Sequence, residues 1–201
     1  MLLNSKNHKS LVQNFNWIIL ALFFFILGTI AALVFTDNLI LIQFIEENIG
    51  IIEEMAQRVF EGPAVSGILI LFFNNLLASI QVMLMGFLLG IPSLLGLFAN
   101  GALLGHVLTT LGEQGEALTF LLLGILPHGI FELPAFFISG AFGLKLGFHL
   151  LFPLPQKSRK ESIGHIWREY WNLFPLVVIL LVIGAVVEVL ITPLLLSLVQ
   201  A

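Results

Sequence analysis

From Pro63 to Leu111 the chain carries no Asp, Glu, Lys or Arg. An uncharged run of this length has room for two membrane crossings at ~20 residues each. In water it would have to bury nearly all of its surface, and a small domain cannot do that. The rest of the chain agrees. Of 201 residues 59% are hydrophobic and 10% charged, and mean hydropathy is +1.07. Soluble domains carry about 25% charged residues. The solvent is therefore lipid, which excludes an ordinary soluble enzyme and a disordered tail. With eight Lys+Arg and a net charge of −4 there is no basic footprint for nucleic acid. No cysteine is present, so disulfides, thiolate nucleophiles and Cys-ligated metals are excluded.

Charge placement divides the apolar sequence into an all-α, polytopic membrane domain with five spans. They are expected at about 16–36, 64–90, 93–111, 117–150 and 173–198. The first is longer than a secretory signal's apolar region and lacks Ala-x-Ala, so an uncleaved helix is expected. Residues 38–61 are amphipathic. Leu41, Ile45, Ile52, Met55 and Val59 share one helical face, with Glu46, Glu53, Glu54, Gln57 and Glu61 largely opposite. An external surface helix is expected there, packed on its own protein because its acids would repel anionic lipid. Gly90-Ile91-Pro92-Ser93 marks the turn between spans two and three. Lys6 and Lys9 at the N-terminus, and Lys157, Arg159, Lys160 and Arg168 in an expected loop 153–172, predict a cytoplasmic side. Asp37, Glu46, Glu47, Glu53, Glu54 and Glu61 against Arg58 put 37–62 outside. The C-terminus is then extracytoplasmic and the protein a multi-pass protein of the cell membrane. Trp17, Trp167, Tyr170 and Trp171 fit the aromatic belt.

Polar residues at membrane depth are costly and face a partner or a cavity. Asn74 and Asn75 fall in span two and Asn100 in span three. Span four holds Pro127-His128-Gly129-Ile130-Phe131-Glu132. His128 and Glu132, four apart, share a helix face that also takes in Ser139. Gly129, Gly140, Gly143 and Gly147 adjoin it, and span three offers Gly101-x-x-x-Gly105. Small residues let helices approach closely. Spans three and four are expected to pack on these faces, bringing Asn100, His128 and Glu132 together or toward span two. Pro127 and Pro134 predict a kink or break at 127–134. Lys145 is expected to snorkel to the cytoplasmic edge. His149 and His165 are expected at that boundary, and Glu188 in span five needs a partner.

The polar cluster supports three readings. Its groups hydrogen-bond one another and fix helix packing, with Glu132 protonated or paired with protonated His128. Alternatively it handles protons or a metal, with His106 as a third ligand beside His128 and Glu132. An intramembrane hydrolase lacks a paired carboxylate or a Gly-x-Ser-x-Gly elbow. A faint likeness between Leu88–Pro92 and Leu122–Pro127, each followed by a Gly-x-x-x-Gly, would suggest an internal repeat of the transporter kind.

The block from Asn75 to Gly147, with Asn100-Gly101-x-x-x-Gly105, the string Pro127-His128-Gly129-x-x-Glu132-Leu133-Pro134, and Gly140-x-x-Gly143-x-x-x-Gly147, resembles the stage II sporulation protein M family. The resemblance implies a polytopic membrane protein of a bacterial and archaeal family. Its namesake is the membrane partner of peptidoglycan-degrading enzymes during engulfment. The leading expectation is therefore a non-enzymatic membrane protein that anchors or organises envelope or peptidoglycan-remodelling partners. A small transporter or channel, and a metal-dependent membrane enzyme, are the alternatives. No cofactor is expected, a bound metal ion stays open, and the glycine faces and short loops suggest a homodimer.

Overall fold

The computed structural model describes residues 5–36 and 39–198, which form helices and connections with no strand among them. The elements are α1 (Ser5–Gln13), α2 (Phe15–Val34), α3 (Leu39–Phe60), α4 (Ala64–Leu84), α5 (Ile91–Glu113), α6 (Ala117–Thr119), α7 (Leu126–Leu151), α8 (Arg159–Leu190) and α9 (Thr192–Ser197). A 3-10 turn, Met85–Phe87, extends α4, and a π-helical segment, Phe120–Ile125, joins α6 to α7. Five helical stretches are long and apolar enough to cross a membrane: Phe15–Val34, Ala64–Phe87, Ile91–Glu113, Phe120–Leu151 and Arg159–Ser197. The expected all-α, five-span architecture is what the protein adopts.

α2 illustrates how these helices sort their faces. Phe15, Ile19, Phe23, Ile26, Ile30 and Leu33 recur at helical spacing and stay exposed, a stripe suited to lipid. Ala21, Phe25, Gly28 and Ala32 are buried on the other side. α7 is the central helix. It is buried almost without interruption from Ala135 to Gly147, against α4 on one side and α8 on the other. Phe142 meets Tyr170 of α8 with ring centroids 5.6 Å apart, and Ile166, Leu173, Val177 and Leu181 continue the seam. α3 rests on the bundle through Ile45 and Val59, the latter packed with Leu71 and Ala185. Its Glu47, Glu53, Glu54 and Gln57 stay exposed. Asp37 and the side chains of Lys6, Leu41, Glu46 and Ile52 lie outside the described residues.

Three expectations need correction. The first concerns span four, which does not break at Pro134. α7 runs through that proline, and the irregular segment lies earlier, at 120–125. Pro127 sits in the first turn of α7, where a missing N–H costs little. Its ring would crowd the carbonyl four residues back, at Leu123. The wider π turn, which pairs residues five apart, relieves that crowding.

The second correction concerns the glycines of α5. A methyl group on Gly101 would strike the backbone carbonyl of Phe25, and one on Gly105 the carbonyl of Thr29. Gly28 in turn faces the carbonyl of Phe98. This close pairing joins α5 to the first span, not to the fourth. Among the glycines of α7, Gly140 lies against the Leu97 side chain of α5, Gly143 against the carbonyl of Val82 and Gly147 against Gly90. A methyl group on Gly129 would have Ile125 and Leu133, four residues away on either side, as its nearest neighbours, at ordinary contact distance. At the tight turn before α5, Leu89 and Gly90 both have positive φ (60° and 73°), and Ser93 Oγ donates to the Val82 carbonyl at 2.7 Å. That bond satisfies a carbonyl that α4 leaves free at its end.

The third correction concerns 153–172. The connection is short, because α8 begins at Arg159. A capping box starts it: Ser158 N donates to Glu161 Oε2 (2.7 Å) and Glu161 N to Ser158 Oγ (3.3 Å). At 32 residues α8 is about 48 Å long, so its first turns stand outside a ~30 Å hydrocarbon layer.

Candidate functional site

α7 and α8 pack side by side over their whole shared length, and this brings three ionisable groups together at membrane depth. One ligand atom from each of His128, Glu132 and Glu188 lies within 4.8 Å of the others. His128 and Glu132 project from successive turns of α7. Glu188 comes from α8, four residues after Gly184. That glycine is where the Glu132 side chain crosses, since a methyl group there would collide with Glu132 Cγ and lie 2.8 Å from Oε1. Asn75 of α4 borders the same cavity as Glu132. Glu188 thus lies beside His128 and Glu132 and not alone in the helix.

The cluster lies between two cavities. One, of about 210 Å³, is lined by Asn75, Ser79, Asn100 and Glu132, among others. The second, of about 370 Å³, is lined by His128, Glu188 and Thr192 together with apolar residues of α5 and the π segment. Leu104 and Ile125 border both. The π segment therefore forms part of the wall, in keeping with the frequent use of such turns at functional sites. Each cavity exceeds the ~30 Å³ share of one liquid water several-fold.

Buried polar atoms are normally hydrogen-bonded. Among the described residues Ser10 Oγ, Ser79 Oγ, His128 Nδ1, Glu132 Oε1 and Thr192 Oγ1 are buried and have no partner. All but Ser10 belong to residues lining these two cavities. Among the described residues, the unsatisfied buried side-chain hydrogen-bonding atoms are concentrated there. Lys145 is engaged with Glu169, and Arg58 lies exposed beside Glu54 on α3. No Lys or Arg side chain lines either cavity.

The other residues singled out in the sequence fall elsewhere. Asn74 is exposed, 3.5 Å from Asn75. Asn100 borders the smaller cavity, but its Nδ2 donates to the Gly96 carbonyl of its own helix at 2.8 Å. His106 does not lie with His128 and Glu132. It sits beside Thr110 in a separate pocket with Thr109 and Glu113, and the third ionisable group beside the pair is Glu188. Ser139 does not join the cluster either, because its Oγ bonds Tyr170 OH at 3.1 Å.

Lys145 does not snorkel. It is buried, and its Nζ donates to Glu169 Oε2 at 2.6 Å and to Asn14 Oδ1 at 2.7 Å. His165 Nε2 lies 3.7 Å from the same carboxylate. Burial lowers the pKa of this imidazole against the opposing pull of Glu169. Sequence reading passed over Asn14, Glu169, Ser79, Thr192 and Gly184. Only Gly184 left a signal, its i,i+4 spacing to Glu188 in the apolar second half of α8.

The sequence profile of the stage II sporulation protein M family matches residues 21–193. An uncharacterized protein of Methanocaldococcus jannaschii is 33% identical over 121 residues, covering 60% of this chain and 68% of the relative. A second uncharacterized protein of that organism is 32% identical over 124 residues, covering 60% of this chain and 53% of the relative. The chain thus spans only about half the length of this second relative. No solved structure matches. The span from 21 to 193 takes in the three middle membrane-crossing stretches, most of the first and last, and every residue of the cluster, and the chain belongs to the stage II sporulation protein M family of multi-pass membrane proteins.

Proposed function

We propose that this protein is a small membrane carrier or channel that takes up a cation at His128, Glu132 and Glu188. One observation carries the reading. Two carboxylates and an imidazole converge between two cavities, with buried ligand atoms left unpartnered and no Lys or Arg side chain lining either cavity. Polar groups that only fixed helix packing would satisfy one another. Flux into proteoliposomes tests it. Wild type is expected to pass cations and Glu132→Gln to abolish passage while remaining folded. Equal flux in both would reject the reading.

A second reading rests on α3. This helix holds the bundle through Ile45 and Val59 and turns Glu47, Glu53, Glu54 and Gln57 away from it. Such a face suits an anchoring role toward external envelope or peptidoglycan-remodelling proteins, the role implied by the family's namesake. Deleting 38–61 should then release those partners from a protein that still inserts, and unchanged co-purification would count against it. Both readings share one orientation. The basic start of α8 faces the cytoplasm with the N-terminus, and α3 lies outside, as the positive-inside rule favours. Single-cysteine labelling at Gln57 and at Gly164 from either side tests this, because this chain has no cysteine of its own.

A further inference from the structure

Three properties of the cluster narrow the kind of cation it suits. The first is the donor set. One imidazole nitrogen and two carboxylate oxygens form the mixed nitrogen–oxygen set that suits first-row divalent ions, from the harder Mn²⁺ to the borderline Fe²⁺ and Zn²⁺. An alkali ion does not call for imidazole. The second is charge. Two ionised carboxylates sum to −2, and a divalent ion neutralises them in a region where unbalanced charge is costly. The third is the state of the donor atoms. His128 Nδ1 and Glu132 Oε1 are shut off from solvent and hydrogen-bond nothing, although they belong to groups converging within 4.8 Å. A set of donors that converge without bonding one another is suited to a third body between them. Around it, Asn75 borders the same cavity as Glu132, within the polar surroundings that metal-ligating carboxylates commonly have. Gly184 leaves Glu132 the room to reach inward. The cavity bordered by His128, Glu188 and Thr192 has space for the waters that would complete the coordination.

We propose that His128, Glu132 and Glu188 are the protein ligands of a divalent first-row transition-metal ion bound within the membrane. The inference rests on the cation-uptake reading and names the ion class that this site takes. Mn²⁺, Zn²⁺ and Co²⁺ are the probes, added to purified full-length protein in nanodiscs. One Co²⁺ per chain is expected, with a visible d–d band that Zn²⁺ abolishes. His128→Ala, Glu132→Gln and Glu188→Gln should each weaken binding at least tenfold, and His106→Ala should leave it unchanged. Equal binding by wild type and the triple variant, or no binding by wild type, overturns the proposal.

A measurement on wild type alone covers the case in which a variant fails to fold. Pulsed electron paramagnetic resonance of bound Mn²⁺ should show coupling to one imidazole nitrogen, and its absence overturns the site. Proteoliposome flux separates this inference from the function beneath it. Metal bound without flux keeps the site and refutes the carrier. Flux of monovalent cations with no transition metal bound keeps the carrier and refutes the site.

Discussion

Lys145 of α7 is ion-paired with Glu169 of α8 at 2.6 Å, with the lysine side chain 9% and the carboxylate 14% exposed. Asn14 closes the group from the connection between α1 and α2, its Oδ1 2.7 Å from the same ammonium. Three segments distant in the chain are thus held at one end of the bundle. Lys145→Met should leave the buried carboxylate unpaired and cost roughly 3–5 kcal/mol. Adding Glu169→Gln should return most of that loss. Thermal melting in detergent reads both, and a double variant no more stable than the single would contradict the pairing.

The glycines offer a contrast within one substitution type. Gly101→Ala drives a methyl group into the Phe25 carbonyl, which belongs to rigid helical backbone. It should cost about 1–3 kcal/mol by overpacking. Gly164→Ala meets nothing within 4 Å on an exposed turn of α8 and should stabilise by about 0.5–1 kcal/mol. Similar melting temperatures for the two variants would show that the α2–α5 contact is looser than described.

Glu132 separates packing from ion binding. Glu132→Leu sets an apolar side chain beside the polar Asn75 and Ser79 and should cost ~1–3 kcal/mol in stability. Glu132→Gln keeps a hydrogen-bonding group of the same size and should melt close to wild type while losing cation flux. A glutamine variant as unstable as the leucine variant would argue that the carboxylate is needed to hold the helices together.

The start of α8 carries a pH dependence. Hydrogen bonds from the Ser158 hydroxyl and backbone hold the Glu161 carboxyl below its usual range. A carboxyl lowered in the folded state stabilises above its unfolded pKa of about 4.3, and that contribution disappears as pH falls through the lower folded value. Amide protection factors in the first turn of α8 should therefore drop in acid. The Glu161→Gln variant should show lower protection at neutral pH and no such drop. Parallel profiles would remove the capping box as the cause.

The membrane spans were legible because they rest on runs of sequence. Uncharged length, the acids of α3 and the bases near Arg159 each act locally, so reading along the chain finds them. The pairings were not legible. Lys145 near the end of an apolar helix reads equally well as a snorkelling residue. Only the fold places Asn14, 131 positions away, beside it. The glycines of α5 announced a close helix contact but not the partner, because a helix face without side chains accepts any neighbour of matching shape. His106 and Glu188 were both ionisable groups at depth, and nothing along the chain ranked one above the other as a ligand.

The sequence by itself determined the solvent, the all-helical class, the five crossings and the short set of polar exceptions. It could do so because burying a charge or a free peptide group in hydrocarbon is costly enough to be read residue by residue. The tertiary structure alone decided which exceptions meet. His128 and Glu132 reach Glu188 through the register in which α7 packs on α8, and that register is set by Phe142 against Tyr170, by Ser139 bonded to the same tyrosine, and by the gap at Gly184. Such contacts depend on shape between distant segments, and shape of that kind is not written in the local pattern of either helix.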